Sequence, residues 1–277
     1  MYFLVFLVVK KTKLKIQTFH NNLEMPNSYF QFKKFRVEQG QTAMKVCTEA
    51  CIFGASVDVS NINKTSKILD IGAGTGILSL MLAQKITENI ISKNIHAVVH
   101  AVELEEKAFL QAQENIKNSI FSDKITVFNA SIQDFAEKNN EKYDLIVSNP
   151  PFFTNHLLSN KTNKNLALHT NTLSFEDLAK AASQLLHENG TFEILLPAYE
   201  MSLFEEIAKK YNLQIIKTLT IFNNEKHKEN NQIFRKICIF KFGISILDKK
   251  DNLVIKTKEN DYTDAFKVLL RDFYLHL

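Results

Sequence analysis

The segment from Lys67 to Ala83 constrains the fold of this 277-residue chain more than any other. It joins an apolar run, Lys67–Ile71, to the glycine-rich residues 72–76 (Gly-Ala-Gly-Thr-Gly) and then to the helical pattern Ile77–Ala83. Glycines permit positive φ and let a ligand approach the backbone, while a helix N-terminus offers free N–H groups and a partial positive charge. The segment therefore predicts a strand, a ligand-binding loop and a helix.

The spacing of the glycines indicates which ligand the loop accepts. The pattern is Asp-x-Gly-x-Gly-x-Gly, beginning at Asp70, and it differs from the Gly-x-Gly-x-x-Gly of dinucleotide-binding folds. We interpret this difference as favouring a ligand with a carboxylate over one with a pyrophosphate.

Two acidic residues follow later apolar runs. The run 96–102 ends in Glu103, whose carboxylate can take both hydroxyls of a ribose, as an acidic residue does in dinucleotide-binding folds. The run Ile125–Asn129 leads to Asp134, which can accept a hydrogen bond from an adenine amine. Either residue alone is more often a helix cap or a solvated carboxylate, but their order after successive strands favours a nucleoside site.

The tetrapeptide Asn149-Pro150-Pro151-Phe152 follows the predicted buried strand Tyr143–Ser148. The prolines stiffen the loop and hold Asn149 extended. The Asn149 side-chain oxygen and the Pro150 carbonyl can each accept a hydrogen bond from one N–H group of a conjugated amine. These hydrogen bonds stabilise the positive charge that develops when the amine attacks a methyl group. Phe152 offers a stacking face for a base, worth about 1–3 kcal/mol. These four residues alone leave an ordinary Pro-Pro turn open as the alternative.

The later part of the chain completes the predicted sheet. Ser174 is expected to cap a helix that Asn189-Gly190 closes, and residues 192–197 are expected to form the next strand. A hairpin follows between residues 213–221 and 233–242, with a charged linker at 223–231. We predict an α/β, Rossmann-like fold with a seven-stranded, mostly parallel sheet, one antiparallel strand and helices on both faces. The candidate residues then all fall at the carboxyl ends of strands, where such sheets bind ligands.

With these motifs in this order, the chain resembles a class I S-adenosylmethionine-dependent methyltransferase. Within that superfamily it is similar to the bacterial family that methylates the exocyclic amine of adenosine 37, next to the anticodon, in valine tRNA. The closer resemblance rests on Phe30–Val37, Ala43–Glu49 and Tyr262–Leu275, and it covers roughly residues 26–277. Cys47 stands where the family has glycine and Glu49 where it has aspartate, and these two departures affect the finer shape of the cofactor entrance.

The resemblance implies a tRNA anticodon loop as partner and S-adenosylmethionine as cofactor. The residues that it assigns to the cofactor are Asp70, Gly72, Gly74, Gly76, Glu103 and Asp134. It assigns catalysis to Asn149, Pro150 and Phe152. It assigns contacts with the substrate to Pro151, Phe152 and Phe153. Three alternatives remain: methylation of a guanine amine in ribosomal RNA, methylation of a protein glutamine amide, and an inactive RNA-binding protein that kept the fold.

Composition agrees with an enzyme of the cytoplasm. The net charge of +4 permits RNA binding without requiring it. Three cysteines without a pairing or metal-binding pattern, together with scattered histidines, indicate a reducing compartment and no metal. The content of 45% hydrophobic residues suits one domain, which we expect to span residues 25–277, with a cofactor half at 65–148 and a substrate half at 149–277.

The first 24 residues differ from the rest. Their apolar run of nine residues is about half of the ~20 that span a bilayer, and the lysines follow this run instead of preceding it as in a signal peptide. We therefore expect no stable membrane association, although a reversed-orientation anchor stays open. Our hypothesis is that Met25 is the native start and that residues 1–24 are an extension.

Overall fold

The computed structural model describes residues 28–42, 45–62, 65–88, 97–151, 173–243 and 249–277. The predicted extension 1–24 and the predicted start at Met25 lie outside the described residues, as do Phe152 and Phe153.

A small hairpin precedes the main sheet. It pairs β1 (Tyr29–Gln31) antiparallel with β2 (Arg36–Glu38). Phe32 in its turn bridges to Tyr274, and the Lys33 N–H donates to the Phe273 carbonyl at 2.8 Å. Two of the segments that carried the closer resemblance, one near each end of the chain, are therefore in contact.

The main sheet has eight strands among the described residues, in the order β5-β4-β3-β6-β7-β9-β8-β10. All neighbouring strands are parallel except that β9 is antiparallel to both β7 and β8. The predicted α/β class and the single antiparallel strand are confirmed, whereas the predicted number of seven strands is wrong. The bounds are β3 (Lys67–Ile71), β4 (Val98–Glu103), β5 (Ile125–Asn129), β6 (Tyr143–Ser148), β7 (Leu186–Leu196), β8 (Leu213–Asn224), β9 (Arg235–Phe242) and β10 (Lys249–Lys256).

Helices cover both faces of this sheet, and each face has its own apolar core. Side chains of α1, α2, α3 and α8 form one core, and side chains of α4, α5 and α6 form the other. Within the ranges above, no helix is long and apolar enough to cross a bilayer. The bounds are α1 (Thr48–Ser56), α2 (Ile77–Glu88), α3 (Glu106–Lys117), α4 (Ile132–Lys138), α5 (Phe175–Leu185), α6 (Ala198–Lys210), α7 (Glu225–Glu229) and α8 (Asp264–Leu270).

The strand missing from the sequence prediction is β10, at the edge of the sheet next to β8. It begins with two exposed lysines, and Leu253 and Ile255 are its buried residues. Two buried positions are too short an alternation to predict a strand from the sequence.

The predicted end of α5 at Asn189-Gly190 is wrong. Ser174 does cap the helix, because its hydroxyl accepts from the Asp177 N–H at 3.0 Å, but the helix ends at Leu185 and the chain continues as β7. A Cβ on Gly190 would lie 2.9 Å from the Tyr143 carbonyl oxygen. This glycine permits close approach of β7 to β6, and the sequence pattern alone does not distinguish that role from a helix C-cap.

The predicted linker at 223–231 is also partly structured. Strand β8 runs on to Asn224, whose side chain accepts from the His227 N–H at 2.9 Å and caps the short helix α7. Because β8 is parallel to β6 and β7, α7 lies at the carboxyl edge of the sheet.

Glu193 is a buried carboxyl in the middle of β7, and its side chain makes the stability of the protein depend on pH. Burial raises its pKa to about 8. The positive charges of Lys85 and Lys217 oppose this rise, and the negative charge of Asp58 adds to it. The folded state then binds this proton more tightly than the unfolded chain, whose glutamate pKa is about 4.3. The contribution of Glu193 to the free energy of unfolding therefore falls as pH rises from about 4 to about 8, with a limiting slope of about 1.4 kcal/mol per pH unit.

We predict that Glu193→Gln reduces this decline when urea unfolding is measured between pH 5 and pH 8. Residual decline is expected from Asp70, whose pKa burial raises to about 7. Glu188→Gln, at an exposed position of the same strand, should keep the wild-type slope. Equal slopes for wild type and Glu193→Gln would contradict the prediction.

Candidate active site

The glycine loop lies between the end of β3 and the start of α2, against the carboxyl end of β4. The N–H groups of Gly72 and Ala73 donate to the Val102 carbonyl at 2.9 and 3.1 Å. Gly72 and Gly74 have φ of +75° and +56°, and a Cβ built on either would meet no atom within 4 Å. The loop therefore needs glycine for its backbone conformation and faces open space at both positions. Gly76 instead faces α3, since its Cβ would contact Ala112 at 3.4 Å.

Asp70 lies behind this loop and is fully buried. Its Oδ2 accepts from the Ser79 hydroxyl at 2.6 Å and from the Ser79 N–H at 3.1 Å, so it fixes the first turn of α2. Its Oδ1 is buried and has no hydrogen-bond partner among the described residues. Burial raises the pKa of this carboxyl to about 7, the bonds from Ser79 oppose the rise, and the charge of Glu103 adds to it. The geometry supports a role in holding the loop and helix together.

Glu103, the last residue of β4, faces the glycine loop. Its Oε2 accepts from the Gly74 N–H at 2.8 Å and its Oε1 from the Glu105 N–H at 2.9 Å. A carboxylate has about four lone-pair sites, so two bonds leave capacity for the hydroxyls of a ligand. Leu104 follows with 54% of its surface exposed. This exposed apolar side chain beside the carboxylate was not among the residues predicted from the sequence.

Asp134 lies in the first turn of α4, beyond β5, and is exposed. Its Oδ2 accepts from the Ser131 hydroxyl at 2.7 Å, and its N–H donates to the same hydroxyl at 3.0 Å. It also lines a cavity of about 700 Å³ with Asn129, Ala130 and Phe128. Asp134 is thus part of a helix cap and a wall of a cavity that runs from the end of β5 along α4 to Glu141, just before β6.

Asn149 and Pro150 continue β6 at the same edge of the sheet, Pro150 buried and Pro151 exposed. The Asn149 Oδ1 is buried and lacks a hydrogen-bond partner among the described residues. The preceding Ser148 donates its hydroxyl proton to the Ile71 carbonyl at 2.9 Å and so ties the end of β6 to the end of β3. An unsatisfied buried acceptor is costly, and an amine donor would remove that cost.

Asn115 of α3 joins the glycine loop to the end of β2, and it was not among the residues predicted from the sequence. Its amide donates to the Thr75 carbonyl at 2.9 Å and to the Glu38 carbonyl at 2.8 Å, while its oxygen accepts from the Glu38 N–H at 2.8 Å. Next along the chain, the Gln39 side chain accepts from the Val46 N–H at 2.7 Å. No local pattern reveals Asn115, because its partners lie 40 and 77 residues away.

We predict that Asn115→Ala lowers the free energy of unfolding by about 1–3 kcal/mol, since it leaves the buried Thr75 carbonyl and the partly buried backbone groups of Glu38 without their partner. Because Thr75 belongs to the glycine loop, ligand affinity at the loop should fall as well. Urea unfolding and calorimetric titration with S-adenosylmethionine measure the two effects. Asn118→Ala, at an exposed position of the same helix end, is the matched control. Wild-type values for both quantities in Asn115→Ala would contradict this role.

Comparison with known proteins supports a methyl-transfer site. The profile of the "Methyltransferase small domain" family matches residues 46–207. A protein of Dyadobacter fermentans named tRNA1(Val) (adenine(37)-N6)-methyltransferase is 40% identical, covering 90% of this chain and 98% of its own length. A protein of the same name from Cytophaga hutchinsonii is 38% identical, covering 91% and 100%.

A solved structure shows the same fold. The crystal structure of a predicted O-methyltransferase from Agrobacterium tumefaciens superposes with a TM-score of 0.61 at 15% identity, covering 80% of this chain and 95% of that one. In the described ranges, no group of three or more histidine, cysteine, aspartate or glutamate residues could hold a metal ion.

Proposed function

The chain belongs to the methyltransferase small domain family and is a methyltransferase, and we propose that it transfers the methyl group of S-adenosylmethionine to the exocyclic amine of adenosine 37 in valine tRNA. The substrate is taken from the names of its relatives. The observation that carries the proposal is the Asn149 Oδ1, a buried acceptor without a partner among the described residues at the end of β6.

The residues around the glycine loop fit S-adenosylmethionine. Gly72 and Gly74 leave open space beside the backbone, and Glu103 has acceptor capacity for two ribose hydroxyls. The Leu104 side chain offers an apolar surface next to Glu103, and Asp134 can accept from an adenine amine in the adjoining cavity. Bound there, S-adenosylmethionine supplies an electrophilic methyl group on a positively charged sulfur.

Asn149 and Pro150 act on the nucleophile. The lone pair of the adenine amine is delocalised into the ring, so the amine is a poor nucleophile until its geometry changes. The Asn149 Oδ1 and the Pro150 carbonyl each accept a hydrogen bond from one of its two N–H groups. These hydrogen bonds favour tetrahedral geometry and stabilise the positive charge that develops at nitrogen. No strong base is required before transfer, and the surplus proton leaves to water afterwards.

The target base has to leave its stack to reach the end of β6. Adenosine 37 is in the anticodon loop, where extrusion of a base costs less than from a duplex. We propose Pro151, Phe152 and Phe153 as its contacts, with Phe152 as the stacking surface.

The proposal is tested by incubating the protein with unmodified total tRNA and isotopically labelled S-adenosylmethionine, followed by digestion and mass spectrometry of the nucleosides. The expected product is labelled N6-methyladenosine. Labelled methylguanosine would instead support the guanine amine as target, and label confined to protein would support a glutamine amide. Absence of label in all fractions, despite bound S-adenosylmethionine, would support an inactive RNA-binding protein.

A further inference from the structure

Two segments at the carboxyl edge of the sheet carry opposite net charges. Residues 103–107, beside the glycine loop, contain three glutamates and one lysine and have a net charge of −2. Residues 225–236, which include α7 and the start of β9, have a net charge of +2. A polyanion that approaches this edge is repelled on the cofactor side and attracted on the other side.

The positive side is close to Asn149 because of the strand order. Strands β6, β7, β9 and β8 are neighbours in that order, and β8 ends at the same edge as β6. Three strand spacings of about 4.8 Å separate β6 from β8, or roughly 15 Å, and because Ser148 is level with Thr218, Asn224 lies about five residues, or roughly 17 Å, farther out along its strand than Asn149. A nucleic-acid strand that presents one nucleotide to Asn149 can therefore reach α7 with the nucleotides that flank it.

The two glutamates of α7 have hydrogen-bond or ion-pair partners, whereas its two lysines remain accessible. Glu229 pairs with the Lys258 ammonium at 2.5 Å, and Glu225 accepts from the Lys258 N–H at 3.2 Å. Both carboxylates are thus turned towards the end of β10. Lys226 and Lys228 are exposed and make no ion pair with any other described residue.

Arg235, another cation close to this edge, is already engaged. Its Nη2 lies 3.1 Å from the Glu49 Oε1, and each of these two side chains is 17% exposed. It holds β9 to the first turn of α1 and is not available to a ligand in the way that Lys226 and Lys228 are. The two lysines therefore supply the accessible positive charge of α7.

We propose that Lys226 and Lys228 form a basic rim that binds backbone phosphates of the tRNA whose target adenosine enters at Asn149. This inference rests on the proposed function and adds to it the surface that holds the RNA. The glutamates at residues 103–106 contribute by repulsion, so that the RNA backbone lies over the β8 side of the edge and the cofactor side stays free of it.

The test compares two double variants with the same change in charge. Lys226→Gln/Lys228→Gln removes the rim, and Lys117→Gln/Lys249→Gln removes two exposed lysines from the opposite edge of the sheet. Binding of a fluorescent, unmodified tRNA1(Val) transcript is measured over a series of salt concentrations, together with KM for the transcript and Kd for S-adenosylmethionine.

For the rim variant we expect the Kd for the transcript to rise roughly tenfold and the slope of log K against log salt to fall by about 1–2. Affinity for S-adenosylmethionine should equal that of wild type. The opposite-edge variant should change the Kd for the transcript far less. Equal Kd values for the two variants would overturn the proposal, as would weaker binding by the rim variant with an unchanged salt slope, because the contacts would then not be to phosphates.

The same measurements separate this inference from the proposed function. If wild type binds the transcript through the rim but methylates no tRNA, the proposed function fails and the rim stands. If wild type methylates adenosine and the rim variant matches the opposite-edge variant, the rim fails and the function stands.

Discussion

Asn149→Ala is expected to lower kcat by about 100- to 1,000-fold, the range that is typical when a group that stabilises transition-state charge is removed. The buried Oδ1 of Asn149 is an acceptor without a partner among the described residues, and in the proposed mechanism the target amine supplies its donor. Alanine removes that acceptor and leaves the glycine loop intact. Single-turnover rates at saturating S-adenosylmethionine measure the effect, and calorimetry should give a cofactor Kd within a few-fold of wild type.

Asn139→Ala is the control for Asn149→Ala. It removes an asparagine near the other end of β6, whose amide donates to the Tyr143 hydroxyl at 2.9 Å, so it tests the general sensitivity of the strand to loss of an amide. Because Asn139 also lines the cavity beside Asp134, turnover of this control is measured at saturating S-adenosylmethionine, where we expect it to be near normal. A cofactor affinity that falls in parallel with turnover in Asn149→Ala would count against the assignment of Asn149 to the nucleophile.

Glu103→Ala is expected to weaken S-adenosylmethionine binding by about 10- to 150-fold. Hydrogen bonds to a charged group contribute about 1.5–3 kcal/mol, and the change also removes the acceptor for the Gly74 N–H, which helps to hold the glycine loop. Because the substrate side is untouched, turnover at saturating cofactor should stay close to wild type. Titration calorimetry and the split between KM and kcat measure the two expectations.

The matched control for Glu103→Ala is Glu106→Ala, which removes an exposed carboxylate three residues away in the first turn of α3. It produces the same change in net charge, so a purely long-range electrostatic effect would weaken cofactor binding in both variants alike. Equal affinities of Glu103→Ala and wild type would show that Glu103 does not hold the cofactor.

Where local patterns determine structure, the sequence predicted the positions of the candidate residues in the fold. The strand, glycine loop and helix around residues 67–88 form as expected, because apolar runs and glycine spacing act over a few residues. The same holds for Glu103 at the end of β4 and Asn149 after β6. Their roles remain proposals. Their position at the same edge of the sheet follows from the parallel pairing of β3 with β4 and with β6.

Contacts between distant segments were beyond the sequence analysis. Asn115 joins the glycine loop to the end of β2 by hydrogen bonds, and Glu49 pairs with Arg235, which lies 186 residues later in the sequence. Nothing in the neighbouring residues signals either contact. Glu49 was noted only as a departure from the family pattern, and the structure gives it a partner at the start of β9.

Gly190 shows how one residue type can mislead. Asn189-Gly190 resembles a helix C-cap, yet Gly190 is buried in β7 where the backbone of β6 comes too close for a Cβ. Strand β10 was missed for the opposite reason, because two buried residues within a lysine-containing segment carry too little periodicity.

Methylation of adenosine 37 is tested most directly with two in vitro transcripts of valine tRNA that differ only at position 37, one with adenosine and one with guanosine. Each is incubated with the wild-type protein and labelled S-adenosylmethionine, and the methylated nucleoside is located by digestion and mass spectrometry. We expect N6-methyladenosine at position 37 of the first transcript and no label in the second. Equal labelling of both transcripts, or label at another position, would contradict this expectation.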